Sequence, residues 1–217
     1  MLPKVAVVVL HSQSKKINCW KCVQETLAGV FCEHCQAILD IPADSPPSPF
    51  EILDLKETLL INEEELRAKF YALSKKLHPD RFATSPPPAP QYALRWTTAL
   101  NRAYKTLKSK EERTQWFIEK HLGTSSGEKK SAIPTDLAET YFEIQDLLSE
   151  GNLEPLLVFK TELESQLSKS QAQWAELAIR FDAAQEKLPV AQALRAHKNR
   201  EKYLRSMLSD LERRMNS

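Results

Sequence analysis

The sequence predicts an all-α fold for most of its 217 residues. It contains only 4 glycines, too few for the positive-φ positions that a turn-rich β fold needs. From Leu66 onward, apolar residues recur at three- and four-residue spacings, which is the pattern of amphipathic helices. A hydrophobic fraction of 42% beside 27% charged residues is ordinary for a globular chain and argues against a disordered one.

Charge and motif content exclude several functions. The formal net charge of +1 removes bulk electrostatic attraction to nucleic acid or to an anionic membrane. The sequence contains neither a P-loop nor a dinucleotide-binding fingerprint. Its apolar run from Val5 to Leu10 is too short for a signal-peptide core or a membrane span. We therefore expect no membrane or nucleic-acid partner and a reducing compartment, which would be the bacterial cytoplasm or, in a eukaryote, the mitochondrial matrix.

The uneven distribution of proline predicts the domain organisation. Nine of the 13 prolines lie between Pro42 and Pro90, and all 4 cysteines precede that stretch. Proline-rich segments are stiff and extended, so the first proline cluster indicates a linker. The expected order is an N-terminal tail (1–16), a cysteine module (17–40), a proline-rich linker (41–49), a helical domain (50–122), a second linker (123–134) and a C-terminal three-helix bundle (135–217).

The cysteines form two C-x2-C pairs, Cys19 with Cys22 and Cys32 with Cys35. Each pair can turn both thiolates toward one point, and two pairs complete a tetrahedron around Zn²⁺. The metal then replaces a core that some twenty residues cannot build. Two disulfides are the structural alternative, disfavoured in a reducing compartment, and redox chemistry is another. Iron would use the same four ligands. We expect His34, which lies between two of the cysteines, to be an exposed neighbour and not a ligand.

A helical hairpin is predicted in the middle of the chain. Its first helix begins at Asn62, where Glu65 completes a capping-box-like pattern, and runs to about Leu77. The second helix runs from about Gln91 to Leu107. The expected apolar faces comprise Leu66, Phe70, Leu73 and Leu77 on the first helix and Ala93, Trp96, Leu100, Ala103 and Leu107 on the second.

Between these helices lies His78-Pro79-Asp80, which ends the first helix because residues before proline avoid the α region. A helix end followed by a turn is the plain structural interpretation. A catalytic dyad of His78 and Asp80 is a rival, but no serine or cysteine motif supplies a nucleophile. Pro79 stiffens the loop, and Asp80 offers a carboxylate to a partner arginine.

This segment resembles a J-domain. The resemblance includes Phe50–Leu55 as a short first helix, the His-Pro-Asp tripeptide, and Leu100–Leu107 in the second long helix. It implies that the tripeptide docks on a seventy-kilodalton heat-shock ATPase and stimulates ATP hydrolysis there. The implied chaperone-facing residues are His78, Pro79, Asp80, Arg67, Tyr71, Lys75 and Lys76. Whether His78 fixes the loop or touches the partner stays open.

The remaining residues predict a short helix from Thr114 to Leu122 and three long amphipathic helices in an antiparallel bundle. His197 falls on an apolar stripe, where a satisfied core histidine is the usual occupant. Phe142, Tyr203 and Met207 lie off the stripes. They are candidates for a partner surface, or they widen the core face.

The whole order of modules resembles the HscB family of J-type co-chaperones in iron–sulfur cluster biogenesis. This resemblance implies an all-α fold in which a zinc-binding module precedes the J-domain and a three-helix bundle follows it. It implies an HscA- or DnaK-type ATPase chaperone and an IscU-type scaffold as partners, and no enzymatic activity in the chain itself. The scaffold-binding positions carried over are Ala138, Phe142 and Tyr203. Ala138 stands where a larger apolar residue is common.

One alternative is a nucleic-acid-binding zinc protein with a helical interaction region. Phosphate contacts need a basic patch, yet Lys21 is the only Lys or Arg in residues 17–40.

Overall fold

The computed structural model describes residues 16–123, 133–150 and 154–215. The predicted tail up to residue 15 and most of the second predicted linker lie outside the described residues. The described chain divides into two units, the first ending at Arg113 and the second beginning at Thr114.

The predicted fold class is confirmed, because the regular secondary structure of the described residues is helical apart from one small sheet in the cysteine module. The elements are β1 (Lys16–Asn18), β2 (Glu25–Leu27), α1 (Pro49–Ile52), α2 (Glu63–Leu77), a 3-10 helix (Pro79–Phe82), α3 (Ala89–Lys108), α4 (Lys110–Leu122), α5 (Thr135–Glu150), α6 (Glu154–Ala183) and α7 (Leu188–Met215).

The cysteine module is organised by β1 and β2, which pair antiparallel with Ile17 opposite Thr26. A second antiparallel bridge joins Phe31 to Ile38. Each of these pairings closes around one C-x2-C pair. The sequence patterns predicted the cysteine pairs but not the strands, which are only three residues long.

Helices α1, α2 and α3 form the core of the first unit, with α3 contacting both of the others. The predicted start of α2 is confirmed, since the Asn62 side chain accepts from the backbone N–H groups of Glu64 and Glu65 at 3.0 and 3.1 Å. A complete capping box occurs instead at α1, between Ser48 and Glu51. The buried side chains include Phe50, Leu59, Leu66, Leu73, Leu77, Ala93, Trp96, Leu100, Ala103 and Leu107.

Phe70 departs from the predicted apolar stripe. It is only half-buried, and its ring stacks on that of Tyr104 with centroids 4.1 Å apart. Arg113, at the end of the unit, is buried and donates to the backbone carbonyls of Leu59 and Leu107. The first turn of α4 is therefore held against the segment that precedes α2 and against the end of α3.

In the second unit, α5, α6 and α7 contact one another pairwise, which confirms the predicted three-helix bundle. Its core is a continuous cluster of buried residues, Leu137, Ile144, Leu156, Leu163, Leu204, Met207 and Leu211. His197 is buried and its Nε2 lies 2.9 Å from both Oγ and the backbone oxygen of Ser170, so the prediction of a satisfied core histidine is confirmed. No helix in the described part of the chain is long and apolar enough to cross a membrane.

Candidate functional sites

The structure brings the four cysteine sulfur atoms together. They all lie within 4.8 Å of one another. Two of the contacts, Cys19 to Cys35 at 3.6 Å and Cys22 to Cys32 at 3.8 Å, each join one cysteine of the first pair to one of the second. Cys19 and Cys32 are buried, whereas Cys22 and Cys35 are half-buried. The two pairs therefore build one cluster.

Each C-x2-C pair is turned by the backbone residue that follows it. The N–H of Val23 donates to the carbonyl of Cys19 at 2.9 Å, and the N–H of Gln36 donates to that of Cys32 at 3.0 Å. Val23 and Gln36 adopt φ angles of 62° and 58°, in the left-handed region that usually belongs to glycine. The two knuckles thus have equivalent geometry, and each aims its thiols inward.

The cluster fits a tetrahedral metal ion. Zn–S bonds of about 2.3 Å place tetrahedral sulfur atoms about 3.8 Å apart, and the observed contacts of 3.6 and 3.8 Å match this spacing. A disulfide needs about 2.05 Å, so the same contacts describe free thiols. The four cysteines can therefore hold a metal ion, and all four positions of a tetrahedron are filled by the protein.

The pKa values of the thiols also suit a set of metal ligands. Burial, together with contacts to the other three thiols, raises the pKa of Cys35 to about 12. Burial also opposes ionisation of Cys19, but hydrogen bonds from the backbone N–H groups of Cys22 and Lys21 outweigh it and lower that pKa to about 7. Because metal binding requires deprotonated thiols, a metal ion bound by these four cysteines would release protons, above all from Cys35.

His34 lies beside the cluster and is not part of it. Its ring is exposed and Nε2 lies 2.9 Å from the backbone oxygen of Glu25 on β2. This contact agrees with the expectation that His34 is an exposed neighbour of the ligands.

The His-Pro-Asp tripeptide forms the start of the 3-10 helix after α2. His78 caps it, and the N–H of Arg81 donates to the His78 carbonyl at 3.0 Å. Nδ1 of His78 lies 3.4 Å from both the backbone nitrogen and the Oδ2 of Asp80. An unprotonated Nδ1 accepts from the amide, whereas a protonated one pairs with the carboxylate. In either state His78 helps to fix the loop.

Asp80 is presented to solvent by this arrangement, with 89% of its side chain exposed. Pro79 sets the backbone that carries it, since the ring restricts φ. On α2, Arg67, Tyr71 and Lys75 are exposed at four-residue intervals and so lie on one face that leads to the loop. Lys76 is half-buried and lies beside this face.

The three bundle residues carried over from the resemblance differ in exposure. Phe142 on α5 is 61% exposed and contacts the Tyr141 ring edge-to-face at 5.8 Å between centroids. Ala138 is half-buried, and Tyr203 on α7 is half-buried against the bundle core. Of the two alternatives for Met207, the structure supports the wider core face, because this side chain is fully buried in that core.

Sequence patterns missed the contacts that three residues make between these sites. Arg95 and Trp96 of α3 bind the end of the cysteine module, and Thr97 binds the end of α2. Trp96 was expected in the core from its stripe, but its indole N–H partner is 57 positions away and leaves no local signal.

Comparison with protein families gives these sites a context. Residues 48–116 match the model of the DnaJ domain. The HscB homologue of Arabidopsis thaliana, described as an iron–sulfur cluster co-chaperone, is 27% identical over 159 residues, which cover 73% of this chain and 60% of that protein. Mouse HscB is 27% identical over 96 residues, 42% of this chain and 40% of the relative. The matches thus span less than two thirds of either relative.

Solved structures show the same fold. Human HscB superposes with a TM-score of 0.68 at 18% identity, covering 90% of this chain and 97% of that one. HscB from Vibrio cholerae gives a TM-score of 0.53 at 20% identity, with coverage of 78% and 98%. The predicted resemblance to HscB proteins, with a J-domain and a four-cysteine cluster near the N-terminus, is confirmed.

Proposed function

We propose that this chain, a DnaJ-domain protein of the HscB type, is a co-chaperone of iron–sulfur cluster assembly. Its J-domain stimulates the ATPase of an HscA- or DnaK-type chaperone, and its bundle carries an IscU-type scaffold to that chaperone. The chain itself performs no enzymatic step. The observation that carries this proposal is the exposed Asp80 carboxylate on a loop fixed by His78 and Pro79, within residues that match a DnaJ domain.

Asp80 is the residue best placed to signal to the chaperone. A carboxylate that is exposed in the free protein loses its water on docking, and a partner arginine then replaces that water with a charge-assisted pair. Arg67 and Lys75 supply positive charge to the same docking surface, and Tyr71 supplies an exposed aromatic ring. Lys76 contributes at its border. Charged rims of this kind favour fast, reversible association.

The bundle surface proposed for the scaffold centres on Phe142. An aromatic side chain that stays exposed on a well-packed bundle is a common centre of binding energy. Tyr203 and Ala138 are half-buried and so offer a smaller contact area than Phe142 does. The absence of a larger side chain at Ala138 leaves room there for an apolar group of the scaffold.

For the cysteine cluster we propose a structural Zn²⁺ site, with iron as the metal that the same ligands would also accept. All four coordination positions belong to the protein, which is typical of structural zinc. Unlinked thiols are consistent with a reducing compartment, for which we propose a bacterial cytoplasm or a mitochondrial matrix.

The chaperone-directed role predicts that Asp80→Asn abolishes stimulation of the partner ATPase. The substitution keeps the size of the side chain and removes its charge, so circular dichroism should show an unchanged fold. Single-turnover ATP hydrolysis by an HscA-type chaperone measures the effect. Glu63→Gln, at the opposite end of α2, is the matched control and should stimulate like the wild type. Full stimulation by a folded Asp80→Asn protein would contradict the proposed docking.

The scaffold-directed role predicts that Phe142→Ala weakens binding of an IscU-type scaffold, by about tenfold or more if Phe142 is a central contact. Calorimetric titration measures it, and ATPase stimulation without scaffold should not change. Ile179→Ala removes another exposed apolar side chain, on α6, and is the control. Equal affinities for the Phe142→Ala and Ile179→Ala proteins would remove Phe142 from the interface.

A further inference from the structure

Three consecutive residues of α3 connect the cysteine module to the end of α2. The Arg95 guanidinium contacts both carboxylate oxygens of Asp40, at 2.6 and 2.9 Å. Trp96 is fully buried, and its indole N–H donates to the carbonyl of Leu39 at 2.8 Å. Thr97 donates from Oγ1 to the carbonyl of Leu77 at 3.1 Å. One turn of one helix therefore holds both elements.

Arg95 and Trp96 hold residues 37–40, which form the extended segment that leaves the second cysteine knuckle. The N–H of Cys32 donates to the carbonyl of Ala37 at 2.8 Å, and that of Leu39 donates to the carbonyl of Val30 at 2.9 Å. Ala37 and Leu39 also pack in one buried cluster with Cys19 and Cys32. The position of residues 37–40 thus depends on how firmly the four cysteines are held together.

The carbonyl that Thr97 holds belongs to the last residue of α2, directly before His78. Carbonyls in the last turn of a helix lack partners within the helix, so this hydrogen bond satisfies one of them. The 3-10 helix that carries Asp80 also packs on α3. The orientation of the His-Pro-Asp loop therefore depends on α3 at two points.

We propose that the cysteine module is a positioning element for the His-Pro-Asp loop, acting through Arg95, Trp96 and Thr97. A metal ion in the cluster fixes residues 37–40, and these hold α3 through Leu39 and Asp40. Thr97 then holds the end of α2, which restricts the loop. The inference rests on the proposed function only in that the loop is the docking element. The coupling between the cysteine module and the loop is a property of this chain alone.

Amide hydrogen exchange of the full-length protein tests the coupling without any partner. Within the loop, the N–H groups of Arg81, Ala83 and Ser85 donate to backbone carbonyls, so their exchange reports loop opening. We expect removal of metal by a chelator to speed exchange of residues 78–85 about fivefold, the effect of losing one net hydrogen bond. Residues of α5, α6 and α7 should exchange as before. Metal content is measured on the same samples.

Two substitutions locate the connection. Trp96→Phe removes the indole N–H and keeps an aromatic ring, so the metal-loaded protein should show loop exchange close to that of the chelated wild type while retaining its metal. Thr97→Val removes only the hydroxyl, and should make loop exchange fast and independent of metal. Thr98→Val is the matched control, because the Thr98 hydroxyl bonds within its own helix to the Leu94 carbonyl at 2.9 Å. It should behave like the wild type.

The proposal is overturned if chelation empties the cluster and the loop exchanges at an unchanged rate. It is equally overturned if exchange rises uniformly across residues 49–113, which would make the metal a general stabiliser of the unit. If Trp96→Phe does not fold, Arg95→Gln serves, with a smaller effect in the same direction. These outcomes are independent of ATPase stimulation, so failure of the coupling and failure of the proposed function are distinguishable.

Discussion

The cysteine module and the C-terminal bundle differ in what fills their buried clusters. In residues 16–40 one buried cluster consists of Cys19, Cys32, Ala37 and Leu39, so half of its members belong to the candidate metal site. The bundle buries leucines, isoleucine and methionine along three helices and needs no ligand. The difference teaches where each part is vulnerable: the module to loss of metal, the bundle to loss of apolar volume.

Metal removal should have the largest effect, which we expect in the cysteine module and, more weakly, in the His-Pro-Asp loop, with no effect on the bundle. Structural zinc contributes about 10–16 kcal/mol to folding in small metal-dependent domains, more than the total stability of most domains. We expect Cys32→Ser, or chelation, to make the Lys21 peptide bond sensitive to trypsin while α6 and α7 stay resistant. His34→Ala is the control and should retain the metal, since His34 contacts Glu25 and not the cluster. Continued resistance at Lys21 in metal-free protein would show that the module has a sufficient core of its own.

A substitution that removes core volume from the bundle should lower the stability of the bundle only, and by less than metal removal lowers that of the module. Leu204 is fully buried among the residues of α5, α6 and α7. Leu204→Ala should destabilise the bundle by about 2–5 kcal/mol through lost burial and the remaining cavity. Leu157→Ala, at an exposed position of α6, should change stability by less than about 0.5 kcal/mol. Urea unfolding followed by circular dichroism measures both, and a chelator should leave the difference between them unchanged. If the destabilisation by Leu204→Ala depended on metal, the stability of the bundle would not be independent of the cysteine module.

The same contrast explains what the sequence could predict. Both the helices of the bundle and the cysteine cluster follow from local patterns, because the spacing of apolar residues and of C-x2-C pairs is dictated within a few residues. The sequence left the burial of Met207 open, because periodicity gives the centre of a buried face and not its width. The contacts of Arg95 with Asp40 and of Trp96 with Leu39 join residues more than fifty positions apart, and no local pattern records them.

Phe142 and His197 illustrate, at single residues, how far a local sequence pattern can predict burial and contacts. A stripe predicts that His197 is buried, and burial requires a partner, but only the packing of α6 against α7 identifies Ser170. For Phe142 the position off the stripe left both an exposed surface and a wider core face open, and the structure shows an exposed side chain. Its role in binding a scaffold comes from the resemblance to HscB proteins and stays a prediction.

The smallest expected effect is a gain in metal retention, caused by a substitution that relieves backbone strain in the cysteine module. Val23 is a β-branched residue in left-handed conformation, and its side chain is 76% exposed. Such a conformation costs an L-residue about 1–2 kcal/mol. Val23→Gly relieves that strain and loses little buried surface, although the added freedom of the unfolded glycine offsets part of the gain. We expect metal to be released to a competing chelator about two- to fivefold more slowly, equivalent to less than about 1 kcal/mol.

Gln36 supplies the internal comparison, because it occupies the equivalent position of the second knuckle with a φ angle of 58°. It is not β-branched, so less strain is relieved, and Gln36→Gly should slow metal release by a smaller factor than Val23→Gly. Neither substitution should alter urea unfolding of the bundle. Faster metal release from the Val23→Gly protein would mean that the valine side chain supports the knuckle, and that the module depends on more than its four sulfur atoms.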